Sequence, residues 1–148
     1  MPLTTPPLTG LRAAVAALEA AGLEVALGGS GLLAAHGLVE RVGDWDLTTD
    51  ASLDAVLEAL AAGEVPVFAA RDGAPDEAPY ASEALLSLAG SVDLIVGFAI
   101  LDDDGTAVRL PTRVSGRWND LPLGDLAVWE QAYVLLGRAD RAALLAAR

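Results

Sequence analysis

Four small residues, Gly28-Gly29-Ser30-Gly31, stand between an apolar run that reads as a short strand, Leu23 to Leu27, and a short helix from Leu32 to His36 that ends at Gly37. No other feature restricts the fold as strongly. A strand that turns through glycines into a helix is an α/β unit, and the missing side chains let backbone amides approach an anion closely. Ser30 adds a hydroxyl donor. The sequence contains no lysine, so the turn is not a P-loop, and its spacing is not that of a dinucleotide-binding GxGxxG. Taken alone, such turns are more often structural than functional.

The flanking pattern extends the unit into a domain. Thr9 can cap a helix carrying Leu11, Val15 and Leu18 at helical spacing, with Gly22 at its C-terminal end. Trp45 to Thr48 has strand character. Ser52 or Asp50 can cap a third helix with Leu53, Val56, Leu57 and Leu60 on one face, closed by Gly63. Val65 to Phe68 reads as a strand that Pro66 places at an edge or an end, and Arg71 to Pro79 reads as a loop. Glu83 to Ala89 is ambiguous between helix and strand. It leans to strand, because Gly90-Ser91 suits a two-residue hairpin turn into Val92 to Phe98. Asp102 to Gly105 has turn chemistry and leads back into Ala107 to Leu110. Leu126, Trp129, Tyr133 and Leu136 share a helical face, Gly137 ends that helix, and Asp140 can start a last one.

These elements predict one α/β (α+β) domain over residues 1–148. It has a mixed sheet of four or five strands, helices mainly on one side and a C-terminal helical segment. Residues 1–8 read as a flexible or extended leader. A chain of 148 residues is long enough for one sizeable core.

Asp44 and Asp46 are one residue apart on a predicted strand, which puts both carboxylates on one face and Trp45 and Leu47 on the other. Two carboxylates so close repel unless a cation lies between them. They read either as a metal pair or as the solvated face of an edge strand. Asp93 interrupts an apolar strand, where an unpaired carboxylate costs several kcal/mol, so it needs a partner. That partner is either an arginine such as Arg109 or a metal shared with Asp44 and Asp46. Three carboxylates together would suit two magnesium ions.

Composition narrows the alternatives. Without cysteine there is no disulfide or thiolate site, and the single histidine, His36, excludes a multi-histidine metal centre. His36 itself reads as a packed helix-end residue, and Trp118, Trp129 and Tyr133 read as packing residues. Twenty-one acidic residues against nine arginines give a net charge of -12, which repels phosphodiester backbones and makes a nucleic-acid partner unfavourable. No apolar run reaches the ~20 residues of a membrane helix. The first residues lack the pattern of an export signal, so cytoplasm is the expected compartment.

Together, the segments Leu27-Gly28-Gly29-Ser30-Gly31-Leu32-Leu33-Ala34-Ala35-His36-Gly37, Arg41-Val42-Gly43-Asp44-Trp45-Asp46-Leu47 and Val92-Asp93-Leu94-Ile95 form a recognisable series. The series resembles the nucleotidyltransferase superfamily, of DNA polymerase β-like fold, and within it the small bacterial AbiEii-like and minimal nucleotidyltransferase-like proteins. Trp129-Glu130-Gln131-Ala132-Tyr133 and Gly137-Arg138-Ala139-Asp140-Arg141 are similar to the helical segment that follows the sheet in that group, so the resemblance covers residues 8 to 148. It implies that Asp44, Asp46 and Asp93 are catalytic and hold Mg2+ or Mn2+. It also implies that Gly28, Gly29, Ser30 and Arg41 contact the nucleotide; for Arg41 a surface salt bridge is the alternative. The reaction implied is transfer of a nucleoside monophosphate from a nucleoside triphosphate to a hydroxyl of a small molecule or protein. The alternative is a catalytically weak domain that binds a nucleotide or a protein and regulates, of toxin–antitoxin type. Relatives often carry lysines where this chain has Glu130 or Gln131 and Asp140, leaving Arg138, Arg141 or Arg113 as candidate replacements.

Overall fold

The computed structural model describes residues 2–72 and 80–146. The first half of the chain forms α1 (Thr9–Ala20), β1 (Ala26–Gly28), α2 (Gly29–Ala35), β2 (Trp45–Thr49), α3 (Leu53–Ala62) and β3 (Val67–Asp72). The second half forms β4 (Ala84–Leu88), β5 (Val92–Val96), β6 (Ala99–Leu101), β7 (Ala107–Arg109), β8 (Val114–Trp118), β9 (Leu121–Gly124), α4 (Leu126–Leu135) and α5 (Ala139–Ala146). Residues 71 and 72 of the expected loop continue β3, and 73–79 lie outside the described residues.

Among the described residues the main sheet has seven strands, in the order β3-β4-β5-β2-β1-β9-β8, and β6-β7 form a separate ribbon. This corrects the expectation of four or five. The missed strands are β8 and β9, a hairpin with Ser115, Gly116 and Pro122 in its body that turns at Asn119-Asp120, both at positive φ. β8 is exposed along most of its length, as an edge strand can be, so it lacks the alternation that marks a half-buried strand. The sheet is mixed: β1 is parallel to β9 and β2 to β5, and the other pairs are antiparallel.

Apolar spacing accounts for the core. α1 buries Leu11, Ala14, Val15 and Leu18, one stripe of a 3.6-residue period. Thr9 is its first residue rather than its cap, and Leu8 precedes it with no side-chain cap. For α3 the Ser52 hydroxyl accepts from the Ala55 amide at 3.2 Å, so Ser52 is the cap. Asp50 instead accepts from the Thr112 amide at 2.9 Å, and the Thr112 hydroxyl donates to Thr48 Oγ1 at 2.9 Å. Those two bonds tie the connection between β7 and β8 to β2. Trp45 and Leu47 are fully buried, as a two-residue period requires.

The ends of the central strands are fixed from several sides. Gly90 and Ser91 both have positive φ, the geometry of a tight β4-β5 hairpin, and the Ser91 carbonyl accepts from the Trp45 amide at 2.8 Å. The leader runs alongside: the Thr4 amide donates to Glu40 O at 2.9 Å, the Val42 amide to Thr4 O at 2.8 Å, and Trp45 Nε1 to Pro7 O at 3.2 Å.

Candidate active site

Strand register assembles the site. Gly28 of β1 is paired with Asp46 of β2, Asp46 with Asp93 of β5, and Asp93 with Ser87 of β4. Paired residues on neighbouring strands project to one face about 5 Å apart, so the two carboxylates stand side by side in this row. The Ser87 hydroxyl donates to Asp93 Oδ1 at 3.4 Å. Arg109, the other partner considered for Asp93, pairs with Asp50 at 3.8 Å.

The glycine turn closes over the first carboxylate. Gly29 has φ +56, and a Cβ there would run into the Asp46 carboxylate. Glycine is therefore required twice at this position, for conformation and for space. At Gly28 a side chain would occupy the place of the Trp129 indole, and Gly124 faces the same ring. Trp129 is held in turn between Phe98 and Tyr133, with ring centroids 5.0 and 5.8 Å away. The helix begins at Gly29, earlier than the expected Leu32, so Ser30 lies in its first turn.

Asp44 is not on the strand. It lies in a bend just ahead of β2 and is exposed, yet its charge still reaches Asp46. Burial, then Asp93, then Asp44 push the Asp46 carboxyl up to about 7, while Arg141 pulls it the other way. Arg141 brings a positive charge to the site. From α5 its Nη1 donates to Ser30 Oγ at 2.8 Å and to the Tyr133 hydroxyl at 3.3 Å. Arg138 instead contacts Asp140 at 3.4 Å, and Arg113 is exposed. Arg41 is exposed too, its backbone bridged to Thr4, and the arginine whose field acts on Asp46 is Arg141. Among the described residues no three acidic or imidazole groups stand in ready-made metal-coordinating geometry.

Of the residues that sequence reasoning grouped, the fold brings Gly28, Gly29, Ser30, Asp46 and Asp93 together. Tyr133 and Ser87 were missed. Tyr133 carries the signature of a core position, and Ser87 becomes visible only once the β4-β5 hairpin register is known.

Two solved structures share this fold. One is a presumptive nucleotidyltransferase from Thermotoga maritima, 24% identical, with a TM-score of 0.64 over 93% of this chain and 89% of that one. The other is the solution structure of the antibiotic-resistance factor ANT(2'')-Ia, 15% identical, with a TM-score of 0.61 over 93% of this chain and 81% of that one. No protein-family model matches the sequence, and no curated protein matches it.

Proposed function

We propose that this protein is a metal-dependent nucleotidyltransferase of the small AbiEii-like kind, transferring a nucleoside monophosphate from a nucleoside triphosphate to a hydroxyl acceptor. The observation that carries the reading is the pairing of Asp46 with Asp93 directly beside a glycine-serine turn reached by Arg141. The fold is shared with two solved structures, the first of them described as a presumptive nucleotidyltransferase.

The donor set fits a hard divalent cation: the ligands are oxygens only, and a cation would offset the burial and the repulsion from Asp93 and Asp44 that raise Asp46. Asp44, Asp46 and Asp93 would hold Mg2+ or Mn2+, which when bound neutralises triphosphate charge and lowers the pKa of the acceptor hydroxyl. Gly29 and Ser30 would receive the terminal phosphates, with Arg141 adding positive charge through its contact with Ser30. The acceptor oxygen bonds to the α-phosphorus as the bond from that phosphorus to its bridging oxygen breaks. Pyrophosphate leaves, and the acceptor proton passes to Asp93. Holding these groups in line is the chief contribution of the protein.

The acceptor is a small molecule or a protein side chain, because a net charge of -12 repels nucleic acid. Among the described residues no helix is long and apolar enough to cross a membrane. A cytoplasmic setting accords with a nucleoside triphosphate substrate. One observation favours a second reading, a catalytically weak regulatory module of toxin–antitoxin type: of three candidate cations, Arg141 alone is bonded to the turn, and Arg138 is engaged by Asp140. Thermal melts with millimolar magnesium and each nucleoside triphosphate test both readings. Catalytic and nucleotide-binding roles alike require a stabilising shift, and pyrophosphate release separates the two. If no nucleotide gives a shift, catalysis and nucleotide binding both fall, and only a protein-binding module is left.

A further inference from the structure

Tyr133 lies four residues after Trp129 on α4, and its ring packs against that indole, 5.8 Å between centroids. Its hydroxyl makes a contact that packing does not require. Arg141 Nη1 donates to it at 3.3 Å, and the guanidinium carbon lies 5.7 Å from the centre of the Tyr133 ring. The same nitrogen donates to Ser30 Oγ at 2.8 Å. Tyr133 is buried, with 4% of its surface exposed, and burial holds its phenol above the ordinary range, so it meets Arg141 as a neutral acceptor.

The short link between the two residues makes the contact reproducible. Gly137, at φ +74, ends α4, and the Arg138 amide donates to Tyr133 O at 2.8 Å, so the start of α5 is fixed relative to Tyr133 itself. A guanidinium carries five N–H donors. The two on Nη1 serve Tyr133 and Ser30, and those on Nε and Nη2 are not used by these two bonds. A long arginine side chain that is not held spreads over many rotamers, and ordering it on binding weakens affinity.

We propose that Tyr133 is a positioning residue, whose hydroxyl and ring hold Arg141 against Ser30 so that its remaining donors face the terminal phosphates of a nucleoside triphosphate. This rests on the glycine turn being the triphosphate site. Tyr133→Phe keeps the ring and removes the hydroxyl, and calorimetry compares it with wild type, Arg141→Ala and the double variant. The probes are a magnesium-bound nucleoside triphosphate, the monophosphate of the same base, and inorganic tripolyphosphate.

Tyr133→Phe binds the triphosphate and tripolyphosphate about five- to tenfold more weakly, the worth of one hydrogen bond, and binds the monophosphate unchanged. Its melting temperature stays within about 3 °C of wild type, and it causes no further loss when Arg141 is already alanine. Equal loss for monophosphate and triphosphate, or the same loss without Arg141, assigns Tyr133 to packing and overturns the proposal. Wild-type binding with an unaffected Tyr133→Phe variant overturns it as well and leaves the triphosphate site standing. Absence of wild-type binding to every probe removes the triphosphate site and the proposal together.

Discussion

Replacing Asp46 with asparagine should stabilise the metal-free protein at pH 8 and leave it nearly unchanged at pH 4. The Asp46 carboxyl is pushed from 3.8 to about 7 by burial and by Asp93 and Asp44. Below pH 4 both the native and unfolded chains carry its proton, so ionisation costs nothing there. Between pH 4 and 7 the native state keeps the proton and the unfolded state releases it. The native state then binds more protons, and stability falls as pH rises. Above pH 7 the site is ionised in both states, and the full cost is present. At about 1.4 kcal/mol per unit, a rise of roughly three units amounts to on the order of 4 kcal/mol. Asparagine cannot ionise, so the variant escapes that slope. With roughly 3 °C per kcal/mol for a chain of this size, the expected gain at pH 8 is about 6–12 °C, allowing for a smaller shift than the full figure. Circular-dichroism melts of both proteins from pH 4 to 8 in a chelator measure it. A variant that is less stable than wild type at pH 8, or whose deficit is independent of pH, would show that Asp46 serves as a structural ion-pair partner and would refute the crowding argument.

Gly29→Ala combines a left-handed backbone with a clash against Asp46, and it should lose about 2 kcal/mol or more of stability in chemical denaturation. A melt within error of wild type would show that the turn relaxes freely. Ser87→Ala removes the hydroxyl bonded to Asp93 and should cost about 1 kcal/mol or less, with turnover reduced and triphosphate affinity unchanged. Steady-state kinetics that show a raised KM and unaltered kcat would contradict that role.

The parts of the site that rest on local pattern were legible in the sequence. Asp93 stood out because Val92, Leu94 and Val96 bury one face of β5 and leave the aspartate on the other, and the β2-β5 register of the folded chain then sets it beside Asp46. The glycine turn was visible because few side chains fit a strand that folds directly into a helix. Asp44 was placed on the strand because Asp-x-Asp fits a two-residue period, but the chain bends at Gly43-Asp44 and β2 begins at Trp45. The β8-β9 hairpin left one local signal, Asn119-Asp120 with both φ positive, but Gly116 and Pro122 weakened the strand reading on either side. Arg141 emerged from a set of three arginines only in the folded chain, because its bond to Ser30 joins residues 111 positions apart. No periodicity reports a contact of that range.

Nucleotidyl transfer itself is tested most directly by incubating the protein with an α-phosphate-labelled nucleoside triphosphate, magnesium and pooled hydroxyl acceptors, beside the Asp46→Asn variant. A catalytic carboxylate pair predicts magnesium-dependent label transfer with one pyrophosphate released per label, and loss of both by at least about a hundredfold in the variant. Label transfer that persists undiminished in Asp46→Asn, or that proceeds equally in a chelator, would contradict it.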